Sequence, residues 1–114
     1  MKLPNIENAF IRPEKITKYL LSNNHPDGQY KARFFCSFGF SLAAWQKLET
    51  ALLQHAFQHE IAQKKTTPFG VSYTIEGYLQ TPNGRFPEVR SVWFIETGQI
   101  TPYFVTAYPL KMPK

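Results

Sequence analysis

The sequence predicts an α+β fold, with N-terminal helices packed on one face of a three- to four-stranded antiparallel sheet. Three observations carry this expectation. Apolar residues recur at helical spacing through the first half, the period changes to two from about Phe69, and Thr81-Pro82-Asn83-Gly84 supplies a hairpin signal between two alternating segments.

Pro13 is a good first helical residue, and Ile16, Tyr19 and Leu20 follow at helical spacing to Leu21. The turn formers Ser22 to Gly28 make a loop, after which a second helix is expected from about Gln29 to Phe38, ended by Gly39. Ser41 caps a third helix whose face is Leu42, Trp45, Leu48, Leu52 and Ala56, with Lys64-Lys65 and Pro68 closing it. From Phe69 to Gln80, Val71, Tyr73, Ile75 and Leu79 alternate with polar positions, which is the pattern of a half-buried strand. A second strand is expected from about Phe86 to Glu96 and a third from Tyr103 to Tyr108, with Phe10-Ile11 as a short edge strand.

The chain has 114 residues, 43% of them hydrophobic and 18% charged, enough for one domain spanning 1–114. Thirteen Lys and Arg against eight Asp and Glu give a net charge of +5, which excludes an acidic tail and makes an anionic partner the first candidate. The single cysteine, Cys36, forms no intramolecular disulfide and no multi-cysteine zinc site, and it reads as buried filler. A reducing cytoplasmic location is expected. No apolar run approaches a membrane span, and Met1 to Glu7 read as neither signal nor transit peptide.

Charged residues on faces patterned for burial are the most informative. Lys31 shares a helical stripe with Phe34, Phe35 and Phe38, so its ammonium either snorkels to water or points into a cleft between helix and sheet. A two-residue Asn83-Gly84 turn sets Pro82 against Arg85 and puts Glu88 and Arg90 on the core face with Val71, Tyr73, Ile75 and Leu79. There they form either a mutual ion pair at the core edge or a site at an open end of the sheet, with Gly77 about opposite Arg90 leaving space. A reversal near Gln99 sets Phe104 by Phe94, Thr106 by Val92 and Tyr108 by Arg90. The helix-facing surface then gathers Glu88, Arg90, Thr106 and Tyr108 beneath Lys31, an anion site with proton-transfer groups. His25, in the loop before the second helix, is either an exposed loop residue or a general acid or base. His55 and His59 stand four apart, but without a matching carboxylate or thiol they read better as packing histidines, or as a helix that ends early, than as metal ligands.

The segment His25-Pro26-Asp27-Gly28-Gln29-Tyr30-Lys31-Ala32-Arg33-Phe34-Phe35 resembles the HPxGxxKAxFF element of a family of small uncharacterised bacterial proteins frequent in cyanobacteria. Leu3-Pro4-Asn5, Tyr19 to Ser22, Pro82-Asn83-Gly84 and Phe104 to Pro109 also fit, so the resemblance spans nearly the whole chain. That family in turn resembles the Barnase-EndoU-colicin-RelE (BECR) superfamily of metal-independent ribonuclease toxins. The resemblance implies an endoribonuclease toxin with a small cognate antitoxin or immunity protein as partner, RNA as substrate, and no cofactor, metal or membrane. It implies catalytic roles for His25, Lys31, Arg90, Thr106 and Tyr108. Glu88, Arg33 and Arg85 are the candidate substrate-binding residues. The alternative is a non-enzymatic RNA- or partner-binding module, antitoxin- or immunity-like, that uses the same basic cleft.

Overall fold

The computed structural model describes residues 1–22 and 29–110. Helix α1 (Pro13–Lys15) widens into a π-helical turn over Ile16–Leu20, followed by α2 (Gln29–Ser37) and α3 (Gln46–Gln58). Four strands come next, β1 (Ile61–Thr67), β2 (Gly70–Tyr78), β3 (Glu88–Glu96) and β4 (Tyr103–Pro109). They form one sheet in the order β1-β2-β3-β4, with every neighbouring pair antiparallel. All helices precede the sheet, so the α+β layout expected from the change of period is the one observed.

The core lies between α3 and one face of this sheet. Leu48, Leu52, His55 and Ala56 recur at helical spacing and are buried, as are Tyr73 and Ile75 on β2 and Val89, Ser91 and Trp93 on β3. Phe35 from α2 and Phe104 from β4 extend the same core, and each large apolar side chain buried this way contributes about 1.5–3 kcal/mol. Among the described residues no helix is long and apolar enough to cross a membrane.

Several local expectations need correction. The third helix stops at Gln58, His59 is already extended (φ −114°, ψ 156°), and the segment around Lys64-Lys65 is strand β1. Its pattern hides it, because β1 is an edge strand with Ala62 to Thr66 all exposed and hence no buried face to impose alternation. Leu42 is exposed because it lies in a turn ahead of α3, where the Ser41 hydroxyl accepts from the Ala44 N–H at 3.3 Å. Cys36 is exposed too, one position past the stripe of Ala32 and Phe35. The edge strand expected at Phe10-Ile11 reduces to a single parallel bridge between Phe10 and Tyr103.

The most consequential correction concerns the turn between β2 and β3. A two-residue type I′ turn at Asn83-Gly84 needs positive φ at both residues, yet Gly84 has φ 81° while Asn5 is the only non-glycine residue with positive φ among those described. Instead Gly84 N donates to Thr81 O at 3.2 Å, and the Thr81 hydroxyl reaches Arg85 O at 2.6 Å. The loop is therefore three residues, Pro82-Asn83-Gly84, a turn followed by a left-handed glycine. An odd loop reverses the facing of everything after it. Tyr73 pairs with Trp93, Ile75 with Ser91, Gly77 with Val89 and Glu76 with Arg90. Glu88 and Arg90 consequently stand on the sheet face turned away from α3, not on the core face.

Burial of His55 is what the core had to accommodate in polar terms. Its Nε2 lies 3.1 Å from Gly77 O and 3.0 Å from Val89 O, so that nitrogen carries the proton and Nδ1 accepts from the Ser91 hydroxyl at 3.0 Å. Trp93 Nε1 donates to the same hydroxyl at 2.9 Å, which leaves no member of the chain unpartnered. Beside it, the His59 ring covers Gly77 and donates from Nε2 to Tyr78 O, 2.9 Å away; a Cβ on Gly77 would collide with that imidazole. Gly77→Ala is expected to lower stability by about 1–3 kcal/mol in urea unfolding.

Burial pushes the His55 pKa down to about 4, against the pull of the Gly77 carbonyl and with help from the neighbouring His59. Between that value and the ordinary 6.5 the unfolded chain binds more protons than the folded one. Stability is thus complete above pH 6.5 and falls with acidification, by up to about 1.4 kcal/mol per pH unit and about 3 kcal/mol in total. Urea unfolding of the wild-type chain at pH 7, 6 and 5 checks this; a flat profile across that window would contradict a neutral, buried His55.

Candidate active site

A β-bulge in β4 sets up the outer face of the sheet. Val92 pairs with Thr106 but Trp93 pairs with Phe104, so Val105 is an extra residue without an opposite number. Without it, Phe104 and Thr106 would share a face. With it, Phe104 turns into the core while Thr106 and Tyr108 turn outward beside Val92 and Arg90. Glu76 joins them from β2, opposite Arg90.

The helical layer contributes two more side chains. Tyr19 stands in the π-helical turn and Lys31 in the first turns of α2. Lys31 Nζ donates to the Tyr19 hydroxyl and, at 3.2 Å, to Thr106 Oγ1, bridging the helices to β4. Its ammonium lies 4.7 Å from the Tyr19 ring centre and 5.8 Å from that of Tyr108. Arg90 approaches Tyr108 as well, with Cζ 5.6 Å from the ring centre and Nη1 donating to the hydroxyl at 3.4 Å. Two cations therefore flank one phenol, an arrangement steadied by the ring quadrupoles. Glu76 supplies the counter-charge: Arg90 Nε donates to Glu76 Oε2 at 2.7 Å and Nη2 pairs with the same oxygen. Both partners are about one-third exposed, at 35% and 32%, so this pair is half in water and contributes little to folding.

The electrostatics follow from these contacts. Burial alone would raise the Tyr19 pKa, but hydrogen bonds with Lys31 and Thr106 and the nearby charges of Lys31 and Lys15 outweigh it, and the phenol ionises below its ordinary value. Arg90 moves the other way: hydrogen bonds to Tyr108 and then Glu76 hold its proton more firmly. The cluster thus offers two fixed cations, a hydroxyl from Thr106 and two phenols, one of them acidified. Such a set can hold a phosphate oxygen, stabilise added negative charge and exchange a proton.

Of the residues expected at the site, Lys31, Arg90, Thr106 and Tyr108 come together. His25 lies outside the described residues. Glu88 is exposed at the start of β3, opposite Tyr78, and the ion pair of Arg90 is with Glu76 instead. Arg33 is exposed on α2 and Arg85 is exposed just after the β2–β3 turn. Tyr19 and Glu76 escaped the sequence reading. Tyr19 shares helical spacing with Ile16 and Leu20 and reads as core, although only those two are fully buried. Glu76 would have emerged opposite Arg90 had the loop been counted as three residues. Among the described residues no three His, Cys, Asp or Glu side chains come together in a way that could hold a metal.

A groove of about 570 Å³ opens from the cluster along α1, with Tyr19 and Thr106 common to both. Arg12, Lys15 and Lys18 line it, so cations that look like ordinary surface charge in the sequence are gathered beside the site.

A family model described as "Domain of unknown function (DUF6883)" matches residues 2–111. The fold is also similar to a chain in a solved structure, "Contact-dependent growth inhibition toxin - immunity protein complex from Klebsiella pneumoniae 342". The TM-score is 0.70 at 16% identity, with 94% of this chain and 97% of that chain covered, a likeness of fold. No curated protein matches.

The Lys31–Tyr19 contact has a direct readout. Phenol titration followed by NMR, assigned with Tyr19→Phe, is expected to give Tyr19 a pKa below the usual value of about 10. In Lys31→Met burial dominates and the pKa should rise above its wild-type value; an unmoved pKa would contradict the contact.

Proposed function

The chain belongs to the DUF6883 family, and from that premise we propose that it is an endoribonuclease toxin of a toxin–antitoxin or polymorphic-toxin system. The observation that carries this reading is the convergence of Lys31 and Arg90 on Tyr108, 5.8 Å and 5.6 Å from its ring centre, next to Thr106, on a sheet face free of the core. The similar structure is of a toxin–immunity protein complex, in keeping with either a toxin or an immunity role, and the resemblance of the motifs to BECR-type ribonucleases favours the toxin. In this reading the substrate is RNA, the partner is a small cognate antitoxin or immunity protein, and no metal takes part.

The reaction is attack of a ribose 2′-OH on the adjacent phosphorus. A bond forms from O2′ to phosphorus, the bond from phosphorus to O5′ breaks, and the products are a 2′,3′-cyclic phosphate and a 5′-OH. A general base takes the 2′-OH proton and a general acid returns one to O5′. His25 serves as one of these, and Tyr108 orients or protonates. Tyr19, held in an acidified state by Lys31, is the other acid–base candidate. Lys31 and Arg90 stabilise the charge that builds on the phosphorane oxygens, and Thr106 holds one of those oxygens. Arg33, Arg85 and Glu88 lie on exposed surface, where they would meet more distant parts of the RNA.

A second reading, a non-enzymatic RNA- or partner-binding module, draws on one observation: Arg90 is already paired with Glu76, as a structural ion pair would be. Two assays separate them. Incubated with total RNA or tRNA in EDTA, the wild-type protein is expected to leave cyclic-phosphate ends, and Lys31→Ala and Arg90→Ala to slow cleavage about 10²–10³-fold. Induced in a bacterium, the wild type arrests growth and Lys31→Ala does not. Absence of cleavage by the wild type, or undiminished cleavage by both variants, would overturn the nuclease reading.

A further inference from the structure

The groove beside the cluster carries a more specific conclusion. Its helical wall presents Arg12, Lys15 and Lys18, with Glu14 as the one acidic group of the lining, and the bulge residue Val105 lies at its β4 side. Lys15 and Lys18 stand three apart on consecutive helical turns, so they rise from neighbouring points on one surface. Tyr19 joins the two regions: Lys31 Nζ lies 4.7 Å from its ring centre and Lys15 Nζ 5.7 Å. The ring is thus shared by an ammonium of the cluster and an ammonium of the groove. At the far end the Arg12 guanidinium is held 5.7 Å from the Phe10 ring centre and 5.1 Å from that of Tyr103.

Cations gathered this closely repel one another, and a single Glu14 does not offset them. Their arrangement calls for an extended anion, with charges repeated at intervals and flat groups between them. Cations set against aromatic rings, with Tyr19 in the lining and Phe10 and Tyr103 beside Arg12, suit a nucleic-acid strand, in which phosphates alternate with bases. The volume, about 570 Å³, lies in the range of small-ligand sites and gives room for a short stretch of single strand.

We infer that the Arg12–Lys15–Lys18 groove is a subsite for the phosphates flanking the scissile one in single-stranded RNA. This rests on the nuclease reading for the identity of the strand. It adds that the substrate extends beyond the two nucleotides at the cut, and that affinity comes largely from outside the reacting centre.

The probe is a fluorescein-labelled hexamer of 2′-O-methyl uridine, which lacks the nucleophile and is read by anisotropy over a range of salt. Lys15→Gln/Lys18→Gln is expected to weaken binding about 10-fold or more near 0.1 M salt and to flatten the salt dependence by about 1.4 logarithmic units per decade. Lys64→Gln/Lys65→Gln, an equal charge change on edge strand β1, is expected to alter binding little. Far-UV circular dichroism and thermal melting verify that both variants are folded. Equal losses in the two variants, or no loss in the first, would overturn the subsite. So would displacement of the hexamer by hexaglutamate as effective as by unlabelled hexamer, which would reassign the groove to an acidic protein. Because the probe cannot be cut, the two readings fail separately. Groove-dependent binding without any RNA cleavage retains the subsite and removes the nuclease, whereas cleavage with groove-independent binding does the reverse.

Discussion

Side chains on a strand alternate between two faces, so one added residue decides which surface receives every residue beyond it. Two such additions organise this molecule. The left-handed Gly84 makes the β2–β3 loop odd and sends Arg90 and Glu88 outward. The bulge at Val105 then lets Phe104 enter the core while Thr106 and Tyr108 join Arg90 outside. Reversing either one would bury an Arg or a Tyr hydroxyl and expose an aromatic core residue, at a cost far larger than the turn itself contributes.

The consequence is a division of labour between the two sheet faces. The inner face carries Tyr73, Ile75, Val89, Trp93 and Phe104, and its one polar device, the His55–Ser91–Trp93 chain, is fully hydrogen-bonded. The outer face carries groups whose charges are part-hydrated and whose pairing contributes little to stability. Lys31 is the exception in origin, since it comes from a helix whose neighbouring Ala32 and Phe35 are core, and its long stem lets the ammonium reach Thr106 across the layer.

Most of the layout was legible because periodicity is a local signal: Leu48, Leu52 and Ala56 mark a helix, and Tyr73 and Ile75 mark a strand, whatever surrounds them. Strand β1 was not, because an edge strand with exposed Gln63, Lys64 and Lys65 has nothing to alternate against. The candidate site is legible in its members but not in the sheet face they occupy. Arg90, Thr106 and Tyr108 were grouped correctly because the β3–β4 register near them holds, with Arg90 opposite Tyr108 and Val92 opposite Thr106. Their face was wrong because loop length depends on whether Asn83 takes positive φ, which the dipeptide Asn-Gly permits but does not compel. Tyr19 was hidden by a helical stripe that fits core and site equally, and the π-helical turn that carries it leaves no mark in the residues themselves.

The pairing of Arg90 with Glu76 gives the cluster a resident anion of its own. Any ligand that arrives there enters by exchange, displacing a carboxylate that is tethered and therefore always present at high local concentration. On the nuclease reading, a phosphodiester engaging Lys31 and Thr106 at the same time gains contacts that Glu76 does not occupy, so the carboxylate would select for a ligand that reaches Lys31 and Thr106 as well as Arg90.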